Sequence, residues 1–256
     1  MPRTEFKPGN MLYPLPAVLV SVKGNDNLIN LFTVAWAGTV CTNPPMVSIS
    51  VRKERFSYNI IKETREFVIN LTTRELAFAT DYCGVKSGRD TDKWKETGLT
   101  PIKSLKVNAP TISESPVAIE CKVRQVLELG SHDMFIADVV SVTVNDKYLD
   151  EKGALKLNEA DLIAYSHGEY YSLGEKLGSF GYSVRTANST DKSVKNAKTK
   201  ESNTFKNKEN KNKNNINKNN INKKSVNKNN INKEKNINKK TSRVSKPKTK
   251  TNKKTS

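Results

Sequence analysis

Arg52, Lys53 and Arg55 crowd three cations into four positions, and Ser57 adds a hydroxyl where a short helix is expected to begin. Positive charge, a hydroxyl and the unpaired N–H groups of a first helical turn together suit a phosphate. A solvated turn would carry the same residues. Lys86, Ser87, Gly88 and Lys93 form a second cluster of this kind, in a loop with two glycines. Two histidines remain. His132, in Gly130-Ser131-His132-Asp133, reads either as an exposed turn residue or as a group facing a bound molecule, and His167 leaves the same choice.

The stretch that precedes the first cluster, NLFTVAWAGTVCTNPPMVSISVR over residues 30–52, is unusually soft in its first half. Thr33, Ala35, Ala37, Thr39 and Cys41 alternate where a core strand would carry bulkier groups. A face that small admits something close and flat: another backbone, an aromatic side chain or a planar ligand. Its length and the Asn43-Pro44-Pro45 turn predict two strands here, the second of which alternates apolar residues with serine from Met46.

The elements that would position these residues follow from periodicity and turn chemistry. Residues 17–23 read as a strand that enters residue 30 through the Gly24-Asn25-Asp26-Asn27 turn. Ser57 is expected to cap a helix through Glu63, before a strand over residues 66–71. Thr72-Thr73-Arg74-Glu75 has capping-box spacing, which predicts a helix from Arg74 to about Tyr82. Asp92 is expected to start a short helix through Thr97. Residues 115–146 form the strongest hairpin pattern: Ile119, Cys121 and Val123 alternate with Glu120, Lys122 and Arg124, and residues 130–133 make the turn. Residues 165–184 are rich in Gly and Tyr and carry no clear period. Many antiparallel strands with two or three short helices predict a mainly β protein, a small β-barrel decorated by helices.

Charge divides the 256 residues into two parts. Residues 1–185 hold 22 basic and 22 acidic side chains, whereas residues 186–256 hold 22 basic and 4 acidic, the whole of the +18 net charge. The second part repeats Asn-Lys-Asn-Asn-Ile-Asn from Asn212, Asn217 and Asn227. So polar a segment cannot offset the entropy of ordering, so it is expected to be a disordered, low-complexity tail. It is either a drifting extension or a tether to nucleic acid or an anionic surface through dispersed lysines. No aromatic residue follows Phe205, so it offers nothing to stack bases. Cys41, Cys83 and Cys121 are odd in number, without a CxxC pair, which argues against a disulfide framework or a zinc site. No segment has the length of a membrane helix or the pattern of a signal peptide, and a cytoplasmic protein is expected.

Five segments in order, residues 30–61, 66–71 (EFVINL), 82–94 (YCGVKSGRDTDKW), 128–142 (ELGSHDMFIADVVSV) and 167–184 (HGEYYSLGEKLGSFGYSV), resemble the flavin reductase-like family. Within it the likeness is to the flavoredoxin-type branch of FMN-binding split barrels, over about residues 6–184. The resemblance implies a six-stranded split barrel over residues 1–185, usually a homodimer, with noncovalent FMN near the subunit interface. It places Asn30, Thr33, Val34, Ala35 and Trp36 along the isoalloxazine and Cys41 near the ring. Ser50, Arg52, Lys53 and Ser57 would face the ribityl chain and phosphate, with Ser87, Gly88 and Lys93 assisting from the loop. His132 would stand at a nicotinamide site.

The function expected is electron transfer from NADH or NADPH through FMN to a flavin or another acceptor. No GxGxxG follows a strand, so the preferred hydride donor is left open. An electron carrier without direct NAD(P)H activity is the nearest competitor. A protein acting on nucleic acid through its basic tail is the competitor from another class; its DNA binding would depend steeply on salt and vanish with residues 186–256.

Overall fold

The computed structural model describes residues 1–185, so the expectation of a disordered basic tail over residues 186–256 lies outside the described residues. They fall into two units: Met1–Glu175, and a second unit beginning at Lys176 whose described residues hold one 3-10 turn, Tyr182–Val184. The first unit is mainly β, as expected. Its strands are β1 (Leu15–Pro16), β2 (Val18–Lys23), β3 (Ile29–Val34), β4 (Ala37–Cys41), β5 (Met46–Arg52), β6 (Glu66–Leu71), β7 (Pro101–Ile102), β8 (Thr111–Ile112), β9 (Val117–Leu129), β10 (His132–Val144), β11 (Ile163–Ser166) and β12 (Glu169–Ser172). Three short helices, α1 (Phe56–Thr64), α2 (Ala77–Val85) and α3 (Lys93–Thr97), interrupt them.

Seven strands form one antiparallel sheet in the order β3-β2-β6-β9-β10-β5-β4, and β1-β11-β12 form a separate small sheet. Alternation decides what each strand buries. On β5, Val47, Ile49 and Val51 enter the main core with Phe67, Phe135 and Ala137, while Ser48, Ser50 and Arg52 take the other face. On β10, Phe135 and Ala137 point to that same core. A second cluster, with Leu19, Leu31, Leu76, Cys83 and Trp94, seats α2 and α3 against β2 and β3. Asn70 locks the sheet beneath it. Its amide donates to the Leu19 carbonyl at 3.1 Å and accepts from the Ile112 N–H at 2.9 Å.

Four expectations are corrected. Residues 30–52 contain three strands rather than two, because the chain breaks at Ala35 and Trp36, where the Trp36 carbonyl turns aside to accept from the Ser50 N–H at 2.8 Å. The small-sided face is therefore split between β3 and β4. The capping box does not form: the Thr72 hydroxyl donates to the Ala17 carbonyl and Thr73 bridges Leu162, so both are spent on tertiary contacts. The helix starts instead at Ala77 and carries Cys83 and Val85 in its last turn. Ser57 does not cap α1, whose N-cap is Arg55 without a side-chain bond. His132 and Asp133, expected in a turn, already belong to β10.

Asp92 behaves as expected. Its carboxylate accepts from the Trp94 and Lys95 N–H groups at 3.1 and 3.2 Å, and α3 closes at Gly98 with φ +67°. Asp92→Ala is expected to cost about 1 kcal/mol in urea denaturation.

Candidate functional site

Two adjoining cavities, each about 540 Å³, open along one face of the first unit and share Phe32, Arg52, Arg55 and Val85. Their walls come from segments far apart in sequence, and each contributes for a local reason. The break after β3 points Ala35 and Trp36 into the first cavity, with Thr33 and Val34 from the strand itself. Strand alternation puts Ser50 and Arg52 on this face of β5, and the register sets His132 directly opposite Arg52. The first turn of α1 (Phe56, Ser57) and residues 85–89 and 93 enclose the second cavity.

The second cavity is cationic. Arg52, Arg55, Lys86, Arg89 and Lys93 line it against a single carboxylate, Glu54. Two of the arginines are fixed by main-chain oxygens: Arg55 Nη1 donates to the Gly84 carbonyl at 2.7 Å, and Arg89 Nη1 to the Glu54 carbonyl at 3.0 Å. The Arg89 guanidinium also lies over the Phe56 ring at 5.6 Å. Lys93 is the unusual member. It is 3% exposed, its Nζ donates to the Cys83 carbonyl at 2.9 Å, and burial pushes its pKa down to about 8. A buried ammonium with one neutral acceptor is incompletely compensated.

The remaining polar groups are held in place. Asn30 Nδ2 donates to Ser57 Oγ at 2.8 Å. Gly88 crosses so near that a Cβ there would stand 2.4 Å from Asn30 Oδ1 and 2.7 Å from Phe56 Cδ1. Only glycine permits that approach.

The first cavity is lined by aromatic groups from separate parts of the chain. Trp36 and His132 stack with centroids 5.9 Å apart and planes 17° from parallel. His132 Nδ1 lies 2.9 Å from Ser131 Oγ; burial, then the Arg52 charge, hold its pKa below the ordinary value. A neutral imidazole at neutral pH follows. Tyr165 and Tyr170, 5.6 Å apart, line the same cavity, with Asp81 hydrogen-bonded to Tyr170. The Tyr170 phenol is pushed up to about 12 by burial, then by the Asp81 charge.

The geometry thus gathers Thr33, Val34, Ala35, Trp36, Ser50 and His132 around one cavity, and Asn30, Ser57, Ser87, Gly88 and Lys93 around the other, with Arg52 in both. Two expected residues stand elsewhere. Lys53, in the turn that follows β5, lines neither cavity, and its Nζ lies 3.4 Å from Asp133 Oδ1. Cys41, half-buried at the end of β4, lines neither cavity. The small side chain of Thr33 serves α2 as well: its hydroxyl donates to the Thr80 carbonyl, and a Cβ on Gly84 would touch it at 3.4 Å. Tyr165, Tyr170, Asp81 and Arg89 escaped sequence reasoning; the density of tyrosine after residue 164 was the one available signal.

The flavin reductase like domain matches residues 11–174. This chain belongs to that family. The flavoredoxin of Desulfovibrio vulgaris (Miyazaki F) is 32% identical with a TM-score of 0.67, over 72% of this chain and all of that one. An uncharacterized protein of Archaeoglobus fulgidus is 32% identical over 55% of this chain and 78% of its own length. A relative named FMN reductase (NADH) RutF, from Serratia proteamaculans, is 21% identical over 56% of this chain and 72% of its own. The resemblance seen in the sequence to the flavoredoxin-type branch therefore holds, and so does the split-barrel fold it implied.

Proposed function

We propose that the chain is an FMN-dependent oxidoreductase, with the flavin ring in the first cavity, the phosphate in the second, and NAD(P)H as electron donor. One observation carries the reading: a buried, undercompensated Lys93 ammonium in a cationic cavity that adjoins an aromatic one. A dianionic phosphate supplies the charge that Lys93 lacks, and a planar ring fits beside Trp36, so the residues present suit FMN. Bound FMN would supply the redox chemistry, taking a hydride equivalent and passing electrons on.

The chain's residues bind and orient. Lys93, Arg52 and the first turn of α1 hold the phosphate, with Ser57 and Ser87 as hydroxyl partners. The main chain of residues 33–36 lies along the ring, and Trp36 with His132 forms the wall against which a nicotinamide would stack. Cation charge from Arg52 and Arg55 favours a ring that becomes anionic on reduction. The domain ends near residue 185, and contact with nucleic acid, if the basic tail makes it, falls to residues 186–256.

A homodimer agrees with the bare edge of the sheet. β4, Ala-Gly-Thr-Val-Cys, has Gly38, Thr39 and Val40 exposed and no charged residue to deter pairing. All three cysteines are free, which agrees with a cytoplasmic setting, and no described helix is long and apolar enough to cross a membrane.

Likeness to a flavoredoxin favours a second reading, an electron carrier that takes its electrons from another protein. One experiment separates the two. The full chain is loaded with FMN, desalted and mixed anaerobically with NADH or NADPH, and its visible spectrum followed. Prompt loss of the flavin absorbance is expected. Retained yellow colour would favour the carrier, and loss of flavin on desalting would contradict both.

A further inference from the structure

Next to the Arg52–His132 pair lies an ionic cluster around one buried carboxylate, Asp133, whose members line neither cavity. Asp133 is fully buried at the end of the main core, directly opposite Val51 in the β5–β10 register. Its Oδ2 accepts from the Tyr58 hydroxyl at 2.5 Å, and its Oδ1 lies 3.4 Å from Lys53 Nζ, paired by charge without a hydrogen bond. Tyr58 packs edge-on against Phe135, 5.6 Å away. Burial would raise the Asp133 carboxyl, but the Tyr58 hydroxyl and the Lys53 ammonium hold it below its ordinary value. The Tyr58 phenol rises to about 12, first through that bond and then through burial. A buried carboxylate is therefore kept where a fold could place a leucine, an arrangement that costs desolvation.

The cluster has a geometric consequence. Lys53 comes from the turn after β5, Tyr58 from α1 and Asp133 from β10, so one carboxylate ties a turn, a helix and a strand together. The residues between its two partners, Glu54, Arg55, Phe56 and Ser57, all line the cationic cavity. Arg52, the last residue of β5 and next to Lys53 in sequence, lines both cavities, so holding Lys53 at Asp133 restrains the backbone from which Arg52 projects. We infer that Asp133 is a positioning residue for the anion end of the site: through Lys53 and Tyr58 it sets the course of residues 52–57, and with it the grip on phosphate. This rests on the reading that the second cavity takes the phosphate of FMN.

Position and charge pull in opposite directions here, which makes the inference testable. Asp133→Asn removes a negative charge behind Arg52 and Arg55, and by Coulomb's law alone would tighten an anion. A loosened loop would weaken it.

The experiment compares affinities of the full chain for FMN and riboflavin in wild type, Asp133→Asn and Tyr58→Phe. Wild type is expected to prefer FMN, and absence of that preference would overturn the underlying reading of the cavity, and the inference with it. In Asp133→Asn the FMN affinity is expected to fall about tenfold while riboflavin changes less than about twofold, as loss of a charged hydrogen bond predicts. Tyr58→Phe, which keeps the carboxylate and its pairing with Lys53, is expected to lose FMN affinity selectively but less. An unchanged or tighter FMN complex in Asp133→Asn, or equal losses for both ligands, would overturn the inference. If Asp133→Asn does not fold, Tyr58→Phe decides: unchanged discrimination between FMN and riboflavin would overturn it.

Discussion

Lys93→Met is expected to weaken FMN binding about a hundredfold while stabilising the ligand-free protein, two opposite effects from one buried charge. The folded-state pKa of Lys93 is depressed from 10.5 to about 8. Below pH 8 the amine is charged in both the folded and unfolded chains, and its burial costs on the order of 3 kcal/mol. Between pH 8 and 10.5 the unfolded chain holds the extra proton, so the stability of the ligand-free protein rises with pH across that window. The phosphate needs the charged amine. FMN affinity should therefore fall above pH 8, by at most about tenfold per pH unit for a single proton. Lys93→Met should abolish both trends. Titration calorimetry with FMN and thermal unfolding without it, each at several pH values, read the two effects separately.

Gly88→Ala is expected to damage the same cavity by shape rather than charge. The new Cβ would meet Asn30 Oδ1 at 2.4 Å and Phe56 Cδ1 at 2.7 Å. Neither neighbour is free to retreat, since Asn30 is buried and bonded to Ser57 and Phe56 lies under Arg89. Overpacking of this kind costs about 1–3 kcal/mol in stability and should displace the Ser57 hydroxyl, lowering FMN affinity by about tenfold or more. Gly98→Ala provides the contrast. Gly98 has φ +67° and open space around it, so alanine there should cost about 1 kcal/mol of backbone strain and leave FMN binding intact. Parallel thermal melts and FMN titrations of the two variants check this.

What could be read from the sequence was local. The alternation of β5, the β9–β10 hairpin and the Asp92 cap depend on segments adjacent in sequence, and apart from the shorter hairpin turn they appear where the pattern puts them. The start of α2 did not, because Thr72 and Thr73 bond to Ala17 and Leu162, partners 55 and 89 positions away that no spacing rule reveals. The site divides the same way. The clusters around Arg52 and Lys86 were visible as runs of charge, and the family resemblance joined them into one cavity. Which way each residue points was not visible: Arg52 and Lys53 are adjacent in sequence, yet one enters the cavities and the other binds Asp133. The wall of Tyr165, Tyr170 and Asp81 needed the fold itself, because α2, β11 and β12 meet there only in three dimensions.

The most direct test compares FMN with riboflavin on the full-length protein at neutral pH, by titration under identical conditions. The two ligands share the ring and differ by the phosphate, so their affinity ratio isolates the cationic cavity. Tighter binding of FMN by about a hundredfold is expected, the worth of a buried, paired phosphate. Equal affinities would contradict the account, because Lys93, Arg52 and the first turn of α1 would then hold no phosphate at all.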